Sequence, residues 1–166
     1  AICAPGTRPD GVVVDTRWLD VQELNIPEQW DPADQLRRYL QALFEPEEHV
    51  AYVTESYLRD DRYAPTKGCW DRTAGQLMDE LARCGGDIGA VVGDYNPAAG
   101  AWICFNPVDG TGRKDANVTA YRYALVECDN MELGKQQAII KQLELPCAAL
   151  VYSGGKSVHA IVKVDA

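Results

Sequence analysis

No run of about eighteen apolar residues, the length that would span a bilayer, occurs in this chain. The start, Ala1-Ile2-Cys3-Ala4-Pro5-Gly6, lacks the basic region and apolar block of a secretory leader. There is no C-x-x-C pair and there are only two histidines, which removes the ordinary zinc ribbon and zinc finger patterns. Internal repeats and low-complexity tracts are absent too. A basic excess is missing: the formal net charge is −9, which argues against loose electrostatic adhesion to nucleic acid. The chain also lacks an initiator methionine, so it reads as a piece of a longer polypeptide.

What is present is enough for one domain or a little more: 166 residues, 46% of them apolar, sufficient for a sizeable core. The six cysteines stand at 3, 69, 84, 104, 128 and 147. Cys84, Cys104, Cys128 and Cys147 lie in or beside apolar stretches and read as reduced thiols packed as small hydrophobes, in a cytoplasmic protein. Charge is divided unevenly. Residues 1–110 carry 19 acidic and 9 basic side chains, whereas residues 111–166 carry 6 and 7. Any contact with nucleic acid must therefore be local, through Arg113, Lys114, Arg122, Lys156 or Lys163.

Residues 1–30 read as irregular. Asp31-Pro32-Ala33-Asp34 opens a helix, with Asp31 as cap and Pro32 in the first turn. Leu36, Tyr39, Leu40, Leu43 and Phe44 form its buried face, and Pro46 ends it. His49 to Leu58 reads as a strand and Arg59 to Trp70 as a polar loop. Thr73 and Gln76 frame a capping box for a helix with Leu77, Met78, Leu81 and Cys84, stopped by Gly85-Gly86. Ile88–Val92 and Ala101–Phe105 read as strands of a hairpin turning at Tyr95–Gly100, before a polar loop over 106–118. The closing order is a strand ending at Asp129, a helix over about 132–144, a strand Ala148–Tyr152, a Gly154-Gly155 turn and a strand Ser157–Val164. A strand–helix–strand crossover with parallel strands, extended by an antiparallel hairpin, makes a mixed sheet in an α+β fold. The last strand would then carry an unpaired outer edge.

Two segments place polar chemistry on strands that are otherwise apolar. Residues two apart share a strand face, so Glu127 and Asp129 project together, as do Ser157 and His159, while Val158 and Ala160 turn inward. Paired carboxylates repel and need a compensating cation, for which magnesium or manganese is the hard-ion choice. Ser153-Gly154-Gly155-Lys156-Ser157 is not a P-loop. The glycine required five residues before Gly155 is Leu150, and a strand rather than a helix follows. The turn could still offer backbone N–H groups and Lys156 to a phosphate. Each feature alone has an ordinary explanation. The acids would mark a strand end or cap a helix, His159 would be a hydrogen-bonded strand residue, and Lys156 would be a solubilising turn residue. Their conjunction favours a metal-dependent phosphate-handling site.

These residues resemble the archaeo-eukaryotic primase superfamily of primase-polymerases, closest to the plasmid- and phage-borne primases often fused to a helicase. The likeness runs from about Glu47 to the C-terminus and includes Trp102–Pro107 and Val118–Arg122. It implies an RRM-like sheet packed with a second α/β lobe, residues 1–46 forming an irregular segment and helix and 47–166 an incomplete catalytic core. It implies Glu127 and Asp129 as ligands of two divalent ions. His159 and Ser157 would contact the phosphates of the incoming nucleotide, with Ser153, Gly155 and Lys156 beside them and Arg122 and Asn106 as further contacts. The family's third acidic motif has no counterpart, since Asp165 lies on the strand of the second motif. Cys104 stands where the family often has arginine. The implied activity is template-dependent nucleotidyl transfer, as a DNA primase or polymerase, from NTPs or dNTPs, in replication of a plasmid, phage or other mobile element. The implied partners are single-stranded DNA template and a helicase, with no membrane. A module that binds nucleotide or nucleic acid without turnover is the second reading.

Overall fold

The computed structural model describes residues 20–22 and 28–164. The third-acid reading that involves Asp165, like the irregular reading of residues 1–19 and 23–27, lies outside these. The fold is α+β, with small antiparallel sheets and four helices among the described residues. It divides into two compact units. One comprises Gln29–Arg122, and the other holds Tyr123–Asp165 with the described N-terminal residues 20–22 and 28.

In the first unit α1 (Pro32–Leu43) begins where the Asp31 carboxylate accepts hydrogen bonds from the Ala33 and Asp34 amides. Its Leu40 and Leu43 are fully buried, with Phe44 close behind. Helix α2 (Ala74–Arg83) starts with the expected capping box, Thr73 and Gln76 satisfying each other's backbone, and buries Leu77 and Leu81. Gly85 and Gly86 both take positive φ, the conformation that ends a helix and costs glycine least.

The strands of this unit depart from expectation. The run His49–Leu58 is not one strand. It splits into β1 (Tyr52–Val53) and β2 (Ser56–Arg59), and β2 pairs with β3 (Arg62–Pro65), inside the stretch expected to be a loop. The turn between them is Asp60-Asp61, both at positive φ, as a two-residue hairpin turn requires and as aspartate tolerates. Ile88–Val92 is not a strand. It holds a short helix α3 (Gly89–Val92), where the Asp87 carboxylate accepts from the Ala90 amide and Gly93 closes the turn at positive φ. Consequently β4 (Trp102–Ile103) has no local partner and pairs antiparallel with β1. A short 3₁₀ turn, Asp115–Asn117, lies in the expected polar loop.

The second unit contains β5 (Tyr123–Val126), α4 (Leu133–Gln142), β6 (Cys147–Tyr152) and β7 (Val158–Lys163). The element order is as expected; the sheet is not. Its order is β5-β7-β6 and every pairing is antiparallel. Among the described residues, the last strand therefore lies in the middle, hydrogen-bonded on both sides, flanked by β5 and β6. The expected unpaired edge on β7 is overturned. The central position buries Val158, Ala160, Ile161 and Val162 of β7. Val158, Ala160 and Val162 pack with Ile140 of α4, joined by Val126, Leu133, Leu145 and Cys147.

Candidate functional site

The pairing of β5 with β7 creates the site. Tyr123 opposes Lys163, and the ladder runs through Val126 opposite Ala160. Continued by one step, that register sets Glu127 opposite His159. The side chains meet there: Glu127 Oε2 lies 2.9 Å from His159 Nε2. The strand itself ends at Val126, so Glu127 and Asp129 stand just beyond it and not on one strand face as expected. Asp129 is exposed.

Ser157 Oγ lies 3.1 Å from the same His159 nitrogen and 3.3 Å from Ser153 Oγ. Both contacts of the imidazole fall on Nε2. A nucleophile–base–acid relay needs the two ring nitrogens in different roles, so Ser157, His159 and Glu127 are not a hydrolase triad. With a carboxylate oxygen beside it, Nε2 carries the proton and donates to Glu127. The pair is half-exposed, with side-chain exposures of 31% for His159 and 42% for Glu127. A half-exposed polar contact of that kind contributes less than about 1 kcal/mol and is readily exchanged for another partner.

The turn from β6 to β7 is closed by the Ser153 amide donating to the Ser157 carbonyl at 3.0 Å and by the Ser157 amide donating to Ser153 Oγ at 3.3 Å. Gly154 has φ +80°, and a Cβ at Gly154 or Gly155 would meet nothing within 4 Å, so the tip is open. Lys156 is exposed beside them, and β7 follows at once, which confirms that no helix opens at this turn.

Sequence reasoning missed the residue that anchors the turn. Gln136 is buried at 3% exposure, and its Oε1 accepts from the Val158 amide at 2.9 Å. Its Nε2 donates to the carbonyls of Lys156 at 2.8 Å and Met131 at 2.6 Å. The available signal was position. Gln136 falls between Leu133 and Ile140 on the apolar face of α4, where a polar side chain must find buried partners.

Two expected contacts are engaged elsewhere. Asn106 and Arg122 belong to the first unit. Buried Asn106 accepts from the Arg122 amide at 3.0 Å, and the Arg122 guanidinium binds the Leu43 carbonyl at 3.1 Å and the Glu48 carboxylate. Cys104 also serves the fold of that unit: its Sγ accepts from the Ala51 amide, and burial pushes the thiol up to about 11. Cys128 is disulfide-bonded, which corrects its reading as a reduced thiol, whereas Cys69, Cys84, Cys104 and Cys147 are free.

For a divalent ion, the donor chemistry of Glu127 and Asp129 suits magnesium or manganese. Among the described residues, no group of three His, Cys, Asp or Glu side chains is placed to hold a metal ion. Two ions would need further oxygen ligands. No described helix is long and apolar enough to cross a membrane. No family model, no curated protein and no solved structure matches the chain.

Proposed function

We propose that the chain carries the nucleotide-handling site of a primase-polymerase, a nucleotidyl transferase acting on nucleoside triphosphates and a single-stranded DNA template. One observation carries the reading. Two motifs separated by about thirty residues of sequence, Glu127-x-Asp129 and Ser157-x-His159, meet through the Glu127–His159 contact of 2.9 Å. The open turn supports it, because exposed glycine amides and Lys156 next to an imidazole N–H make a surface suited to phosphate oxygens.

In this reading the Glu127–His159 pair is the resting arrangement. A phosphate oxygen accepts the Nε2–H hydrogen bond in place of Glu127, which then acts with Asp129. Ser157, fixed by Ser153 and by Gln136 behind the turn, holds the imidazole at its place. Magnesium or manganese held by Glu127 and Asp129 would offset the charge of the triphosphate. Helicase fusion and service to a plasmid or phage are implications of the resemblance, and cytoplasmic location is a reading of the cysteines alone.

A second reading is favoured by one observation, the lack of a third metal-ligating side chain among the described residues. In it the chain binds nucleotide or nucleic acid without turnover. Primer synthesis and primer extension on single-stranded template, with manganese present, separate the two. The first reading expects activity that Asp129→Asn abolishes. Nucleotide binding with no extension product selects the second. Absence of both nucleotide binding and product would falsify the proposal as a whole.

A further inference from the structure

The β2–β3 hairpin contributes no residue to the buried core of its unit. Cross-strand partners share a face, so the register puts Tyr57 opposite Ala64 and Arg59 opposite Arg62 on one face, and Leu58 opposite Tyr63 on the other. Tyr57, Leu58 and Tyr63 are exposed by 48%, 61% and 38%, so neither face is covered. A two-stranded ribbon without a covered face gains little stability from its own packing. Yet this one spends its exposed positions on large rings and on two guanidiniums set directly opposite each other. Like charges so placed repel in the free protein, and an anion lying between them reverses the sign. Its base is secured: the Thr66 amide donates to the Glu55 carbonyl at 3.1 Å, and Arg113 donates to the carbonyls of Thr66 at 2.8 Å and Lys67 at 3.1 Å.

From this placement we infer that the Tyr57–Arg59–Arg62 face binds single-stranded nucleic acid, the ring stacking on a base and the guanidiniums taking adjoining phosphates. Along β2, Tyr57 and Arg59 are two residues apart, about 6–7 Å, so one nucleotide's base and phosphate can reach both. Single-stranded binding surfaces of this type combine aromatic platforms with positive charge. The hairpin's acids decide against duplex. Asp60 and Asp61 form the tip, and a stiff duplex laid along the ribbon would bring its closely spaced phosphates against those carboxylates. A strand laid across the face avoids them. Arg59 Nε is 3.6 Å from Asp60 Oδ2, with both side chains at least 72% exposed, a loose contact that a phosphate displaces. Glu55, the remaining acid near the ribbon, accepts from Thr66 Oγ1 at 3.3 Å. The inference needs neither the metal nor the nucleotide chemistry proposed above.

The test is fluorescence anisotropy of a labelled oligothymidylate about twenty nucleotides long, titrated with the full chain at low salt. EDTA is included and nucleoside triphosphate omitted, so failure of the proposed nucleotide site leaves the result untouched. Tyr57→Ala is expected to weaken binding about tenfold, and Tyr57→Phe to retain it, since stacking needs the ring and not the hydroxyl. Arg59→Gln with Arg62→Gln lowers the slope of log affinity against log salt by about 1.4. Asp60→Asn with Asp61→Asn tightens binding. Matching circular dichroism spectra establish that each variant is folded; should Tyr57→Ala fail to fold, the glutamine pair and the asparagine pair carry the test alone. Wild-type binding absent at low salt, or unchanged by the glutamine pair, overturns the inference. So does a concentration-dependent dimer that Leu58→Ser disrupts in the absence of oligothymidylate binding, which would assign the ribbon to a second copy of this chain.

Discussion

The two units use polar side chains in opposite ways. In the Gln29–Arg122 unit, outside the exposed β2–β3 hairpin, the partly buried ones are consumed by the unit's own framework. Arg122 joins Glu48 to the Leu43 carbonyl, and Arg72 joins Glu80, the Tyr52 hydroxyl and the Val91 carbonyl. Tyr39 donates to the Cys104 carbonyl at 3.1 Å, with burial, and then the neighbouring Cys104, pushing its phenol well above the ordinary range. In the Tyr123–Asp165 unit Gln136 and Ser157 are buried, Gln136 as a clamp, while Glu127, His159 and Lys156 lie at the accessible end of the sheet. The difference shows how to separate structural from functional polarity. A buried polar group that satisfies backbone is part of the framework; a half-exposed pair of low worth has another reason to be there.

The largest effect that would test this contrast lies in the first unit's core. Leu40→Ala should destabilise by about 3–4 kcal/mol, since the side chain is fully buried, whereas Leu150→Ala, half-exposed on an edge strand, should cost less than about 1 kcal/mol. Urea denaturation of both variants measures the gap, and similar losses would break the comparison. Next is the clamp. Gln136→Leu leaves the Val158 amide and two carbonyls without their partner, for an expected loss of about 3 kcal/mol. Because the same change frees the β6–β7 turn, nucleotide affinity should fall with it under the proposed function.

The third effect is on pH dependence. Burial raises the Cys104 thiol from 9.0 to about 11 in the folded state. Below pH 9 the thiol is protonated in both states and contributes nothing to the slope. Between pH 9 and 11 the unfolded chain ionises first, so stability falls as pH rises, by about 2–3 kcal/mol over that window. Denaturation midpoints recorded from pH 8 to 11 should decline more steeply for the wild type than for Cys104→Ala; parallel curves would remove the thiol from the framework. Smallest is the stability effect of His159→Ala, less than about 1 kcal/mol because its contact with Glu127 is half-exposed.

How far the sequence could be read follows the same division. Helices α1, α2 and α4 were legible because capping residues and apolar spacing are local signals, as Asp31, Thr73 and Gln76 illustrate. The site was half legible. The two motifs were visible, but their contact depends on β7 entering between β5 and β6, a choice made by tertiary burial that no local spacing records. The short strands of the first unit were the least legible. Tyr52–Val53 and Trp102–Ile103 are strands only because they face each other across fifty residues, and Ile88–Val92 became helical through Asp87 and Gly93. Arg122 and Asn106 were assigned outward roles because sequence position cannot show that Glu48, Leu43 and each other already occupy them.

The central claim is that the Glu127–His159–Ser157 cluster exists to meet a triphosphate and not to hold the fold. Calorimetric titration of a non-hydrolysable nucleoside triphosphate with manganese, into wild type and His159→Ala at equal folded concentration, tests it most directly. The account predicts at least about tenfold weaker binding in the variant, with unfolding free energy nearly unchanged. Unchanged affinity per folded molecule, accompanied by a marked loss of stability, would contradict it and return His159 to the framework.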